Sequence, residues 1–73
     1  MKITASARRH GVQDADILHA LANPLRGLAS QGEHEVTMIV GPARDGLMLE
    51  VGVVFDDDPR AIHAMPARRK YWP

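Results

Sequence analysis

The sequence contains no cysteine, which excludes disulfide staples and thiolate metal sites, the usual reinforcement of a small secreted scaffold. Long hydrophobic runs are also missing. Lys2, Arg8 and Arg9 flank no apolar stretch of signal-peptide type, and no segment approaches the roughly 20 apolar residues needed to span a bilayer. These absences predict a cytoplasmic protein with no membrane partner. Neither a glycine-rich phosphate loop nor a nucleophile elbow is present, so nucleotide-dependent and serine-hydrolase chemistry have no support. Net charge is absent as well, with nine basic and nine acidic residues, and a neutral total gives no hint of a nucleic-acid partner. The 73 residues suffice for one domain, residues 1–73, with one modest core.

Neutrality conceals an uneven distribution. Residues 1–10 and 60–73 carry Lys2, Arg8, Arg9, Arg60, Arg68, Arg69 and Lys70 with no acid, whereas the stretch between holds every Asp and Glu against Arg26 and Arg44 alone. If the chain ends meet in space they form a basic patch; otherwise they are merely solvated termini.

The order of apolar and turn residues predicts an α+β domain: one or two N-terminal helices packed on a three-stranded antiparallel meander. Asp14 is a candidate helix cap, Ile17, Leu18, Leu21 and Leu25 recur at helical spacing, and Asn23-Pro24 marks the end, giving a helix over residues 14–22. A second short helix over 4–10 can be capped by Thr4 or Ser6 and closed by Gly11. From residue 36 the period changes to that of strands: 36–40, 47–55 and 60–65, joined through Gly-Pro-Ala-Arg-Asp-Gly and Asp-Asp-Asp-Pro.

Placing Val40 opposite Leu47 and Phe55 opposite Arg60 gives the simplest pairing across each connector. Val36, Met38, Val40, Leu47, Leu49, Val51, Val53, Phe55, Ile62 and Ala64 then share the face that the helix must cover. Thr37, Ile39, Met48, Glu50, Gly52, Val54, Ala61, His63 and Met65 fall on the other. In this register His63 lies opposite Gly52 and diagonal to Glu50, within reach of a long side chain.

Histidine exchanges protons near neutral pH, so His63 beside Glu50 is the most suggestive pair the pattern yields; the plainer alternative is a cross-strand ion pair on a solvated face. The stretch Arg68-Arg69-Lys70-Tyr71-Trp72 joins three cations to two rings, a composition that can neutralise phosphates and stack on an unpaired base, or can form a ragged terminus in which Tyr71 or Trp72 packs against the helix. Arg8-Arg9-His10 before Gly11 can face a phosphate, or can offset the dipole at a helix C-terminus. His19 in the helix and His34 in an acidic loop are too scattered to suggest a metal site.

Arg9-His10-Gly11-Val12, an acidic helix start, Asn23-Pro24, Val40-Gly41, Gly46-Leu47-Met48-Leu49-Glu50-Val51 and Arg60-Ala61-Ile62-His63-Ala64-Met65 occur in the order seen in BrnT-like toxins of the RelE/ParE superfamily, which this chain resembles over most of its length. Those toxins carry a Lys-His-Gly-Val-like stretch, a helix closing at Asp-Pro or Asn-Pro, a Gly-Arg-Leu-Leu-like strand and a final Ile-Ser-Ala-Arg-like strand. The resemblance implies a RelE-like fold, metal-independent endoribonuclease activity on messenger RNA without a cofactor, and a cognate antitoxin that often binds DNA. His63-Ala64-Met65 stands where the family has Ser-Ala-Arg, so the cation of that strand end has to come from Arg68.

On this reading His63 transfers protons, Glu50 orients it and His10 is a reserve acid. Arg68 and Arg8 stabilise the phosphate, and Arg9, Arg60, Arg69, Lys70, Tyr71 and Trp72 complete an RNA-binding surface. The rival reading is a binding module, either an inactive toxin relative or a small protein that pairs with a protein partner; a homo-oligomer is compatible with either reading. The binding module would use an open sheet face bearing Ile39, Met48, Val54 and Met65.

Overall fold

The computed structural model describes residues 1–29 and 35–73. In chain order the elements are β1 (Lys2–Ile3), a 3-10 turn (Ser6–Arg8), α1 (Asp14–Ala22), β2 (Arg26–Ala29), β3 (Val36–Pro42), β4 (Met48–Val54), β5 (Arg60–Pro66) and a second 3-10 turn (Arg69–Tyr71). The strands form one five-stranded sheet in the order β1-β5-β4-β3-β2, antiparallel throughout except that β1 runs parallel to β5. The expected three-stranded meander is therefore its centre, and each edge gains a short strand. Among the described residues no helix is long and apolar enough to cross a membrane. His34 lies outside the described residues.

Helix α1 has the predicted bounds, but Asp14 is its first residue and not its cap. Gln13 takes the cap position, while both Asp14 oxygens accept hydrogen bonds from the Arg8 guanidinium at 2.9 and 2.8 Å. Ile17 and Ala20 are fully buried and Leu21 packs against them, whereas Leu18 and Leu25 are exposed. The inward stripe is thus narrower than the leucine spacing suggests, because Ala20 lets the helix lie almost on the sheet backbone. A Cβ at Gly41 of β3 would stand 2.4 Å from the Ala20 carbonyl oxygen, so only glycine fits there. Of the second expected helix only the 3-10 turn forms; Thr4 Oγ1 lies 3.4 Å from the Ala7 N–H, and Gly11 closes the segment at φ 77°.

Leu49, Val51 and Val53 of β4 meet the helix with Ala61 and Ala64 of β5, as expected except for Ala61. The β4–β5 register is as expected from Glu50↔Met65 to Gly52↔His63. It then shifts by one residue to Val53↔Ala61 at a bulge, which turns Ala61 to the core and moves Ile62 beside Val36 and Val54 on the opposite face.

The β3–β4 register differs more. Val40 pairs with Glu50, not Leu47, because β3 continues through Gly41 and Pro42 and the chain reverses only over Ala43–Leu47. Gly46 supplies the positive φ of 91° that this reversal needs. The slip is an odd number of residues, so β3 is turned over relative to the expectation. Ile39 packs against the core, while Val36, Met38 and Val40 share the face of Glu50 and His63.

Candidate functional site

Two of the sequence-level candidates meet on β4 and β5, on the face away from α1. Gly52 sits directly opposite His63, and a Cβ there would press on the His63 Cβ at 3.2 Å and Val36 Cγ1 at 3.3 Å. The imidazole therefore has room to lean diagonally, and its Nε2 reaches Glu50 Oε2 at 2.9 Å.

The third candidate arrives from the segment after β5, which folds back across this same face. The Ala67 N–H donates to the Met48 carbonyl at 2.9 Å, and the next residue places both its backbone and its side chain on Glu50. The Arg68 N–H and Nε donate to Oε1 at 2.9 and 3.0 Å, and Arg68 Nη2 donates to Oε2 at 2.9 Å. At the far edge Arg26 of β2 donates to the Trp72 carbonyl at 2.8 Å, and Trp72 Nε1 donates to the Ala67 carbonyl at 2.9 Å. Residues 67–72 thus run over the transverse row Met65, Glu50, Val40 and Arg26, and Val40 and Glu50 beneath them are completely buried.

A solvated cross-strand ion pair does not describe this arrangement, because Glu50 is 0 % exposed. Burial alone would raise its pKa. The opposing hydrogen bonds from the Arg68 side chain, the Arg68 backbone and His63 outweigh burial and hold it at about 2. The carboxylate is therefore ionised at neutral pH and can only accept, which assigns the proton on Nε2 to His63. In the tautomer that carries a single proton, the lone pair is therefore on Nδ1.

His10 joins this group although it lies far away in sequence. Its ring stands edge-on to His63 with centroids 5.8 Å apart, at the border of β5 beyond the reach of the two-residue strand β1. A cleft lined by His10, Val12, Gln13, Arg44, Leu49 and Pro66 opens next to it. The structure thus brings Glu50, His63, Arg68 and His10 together.

The other candidates are more dispersed in what they touch. Arg8 is held by Asp14, Arg60 by Asp56 at 2.9 Å, and Lys2 approaches Asp58 at 3.8 Å. The basic patch expected from the chain ends is partly neutralised by these partners and by Glu50. Among the described residues Arg9, Arg69 and Lys70 form no ion pair. Arg68 and Lys70 both lie over the Tyr71 ring, at 5.3 and 5.0 Å from its centroid, which leaves the half-exposed Trp72 as the more open ring. His19 Nδ1 bonds the Pro42 carbonyl at 2.7 Å and fastens α1 to β3, a structural use.

Sequence reasoning missed Arg26, which needed β2 to be known, and the Arg68 N–H, which no side-chain pattern signals. No protein-family model, curated protein or solved structure matches this chain.

Proposed function

We propose that this chain is a toxin-like endoribonuclease of the BrnT-like kind, cleaving messenger RNA by internal transfer to the 2′-hydroxyl. The observation that carries the reading is the convergence of His63, Glu50, Arg68 and His10 from four separate parts of the chain. In this scheme the His63 Nδ1 lone pair takes the 2′-hydroxyl proton while Glu50 holds Nε2–H and offsets the positive charge the ring gains. The 2′-oxygen bonds to phosphorus, the bond from phosphorus to the 5′-oxygen breaks, and His10 protonates the departing oxygen. Arg68, whose side chain is 47 % exposed, faces the charge that builds on the phosphate. The scheme uses no cofactor.

A cognate antitoxin, often a DNA-binding protein in such systems, belongs to the same reading. Incubating the purified chain with single-stranded RNA in the presence of a chelator tests it. Fragments ending in 2′,3′-cyclic phosphate and 5′-hydroxyl are expected.

The second reading, a binding module without catalysis, is favoured by the way three of the four bonds that Glu50 accepts come from Arg68 and fasten residues 67–72 to the sheet. Absence of cleavage by the unmodified chain would select it.

A further inference from the structure

The face that carries Glu50 is unevenly covered. Residues 67–72 close the row at Glu50 and Val40, but Leu28, Met38, Val36, Val54 and Ile62 remain only partly buried. At the end of the sheet away from this segment lies a pocket lined by Val36, Val54, Phe55 and Ile62, with Glu35 and the Asp56–Arg60 ion pair at its rim. Phe55 in its wall is 57 % exposed. At the covered end Trp72 is 53 % exposed, close in sequence to Arg69 and Lys70, with its indole N–H bonded to the Ala67 carbonyl.

Charge sorts in the same way. Glu35 and Asp57 at the pocket end and Arg69 and Lys70 at the other are exposed and form no ion pair among the described residues. One end thus offers an apolar socket with unmatched acid, and the other an aromatic knob with unmatched base. Val54 lies four positions beyond Glu50 on β4, a distance of about 13 Å along the strand.

We propose that a second copy of this chain covers this face through a two-fold axis running across the strands, so that Trp72 of each copy enters the pocket of the other. Such an axis reverses the strand direction and brings the basic end of one face over the acidic end of its twin, which an isologous contact requires. The indole fills an apolar pocket while Arg69 and Lys70 meet Glu35 and Asp57, an anchor in a pocket with a charged rim. His63 lies on the covered face, so self-association and access of RNA to His63 exclude each other. The proposal does not depend on the ribonuclease reading.

Sedimentation equilibrium of the full chain tests it. A monomer–dimer equilibrium is expected, weakening at least tenfold in Trp72→Ala and about tenfold when salt is raised from 50 to 500 mM. The variant Glu35→Lys/Asp57→Lys should be monomeric, as should Arg69→Glu/Lys70→Glu, with far-UV circular dichroism unchanged in both. Combining the four substitutions should restore the dimer, because each reversed charge meets a reversed partner. A chain that stays monomeric at millimolar concentration, or a dimer indifferent to Trp72→Ala and to the charge reversals, would overturn the proposal.

Discussion

Replacing Glu50 with Gln isolates what the buried carboxylate contributes. The amide keeps one oxygen for the Arg68 N–H and Nε, but its NH₂ replaces the oxygen that accepts from Arg68 Nη2 and His63 Nε2, so Arg68 Nη2 loses its acceptor and His63 keeps the contact only by moving its proton to Nδ1. The ordinary carboxyl value of 4.5 and the folded value of about 2 differ by 2.5 units, a linkage of about 3 kcal/mol at most. Because Arg68 is 47 % exposed and its charge is screened by water, about 2 kcal/mol is the better figure. A depressed folded pKa stabilises the fold fully above the unfolded value and loses that contribution as pH falls through the folded value. The gap between the natural chain and Glu50→Gln should therefore be full at neutral pH, shrink from about pH 5 downwards and close near pH 2. The other carboxyls with lowered pKa, Asp14, Asp16 and Asp56, are common to both proteins and cancel in the difference. Urea unfolding followed by far-UV circular dichroism at several pH values reads the gap; a thermal scan should show about 10 °C at neutral pH. A gap below 0.5 kcal/mol, or one that does not change between pH 7 and 2, would refute the reasoning.

Gly41→Ala should destabilise the fold by about 1–3 kcal/mol in the same unfolding assay, because its Cβ meets the Ala20 carbonyl, a backbone atom of the helix that cannot swing aside. Gly46→Ala has open space around it but a positive φ of 91°, so a loss of about 1 kcal/mol is expected with the fold otherwise intact. Arg68→Ala should both weaken RNA cleavage and lower stability, since it removes two of the four bonds on the buried Glu50; unchanged thermal unfolding would contradict the clamp.

The candidate pair was legible because β4 and β5 alternate cleanly and their connector, residues 55–59, is short enough to fix the pairing of Gly52 with His63. The bulge just beyond that pair leaves no mark in the alternation, so Ala61 and Ile62 were placed on each other's faces. Gly41-Pro42 reads as a turn, yet both residues pair in the sheet, Gly41 because the helix needs its missing side chain and Pro42 at the strand end. β2 was hidden because Arg26-Gly27-Leu28-Ala29 has no strand-type alternation, and its form comes from β3 alongside it. β1 has two residues and no pattern at all. The meeting of His10 with His63 is likewise tertiary, set by how the segment before α1 passes the border of β5.

The claim that His63 performs proton transfer is tested most directly by comparing RNA cleavage by the natural chain and by His63→Ala, with folding of both checked by circular dichroism. Loss of a positioned proton-transfer group slows a reaction by about 10²–10⁴-fold. A folded His63→Ala protein with cleavage reduced in that range, and cyclic-phosphate ends from the natural chain, is the expected result. Full cleavage by the folded variant, or none by the natural chain, would contradict it.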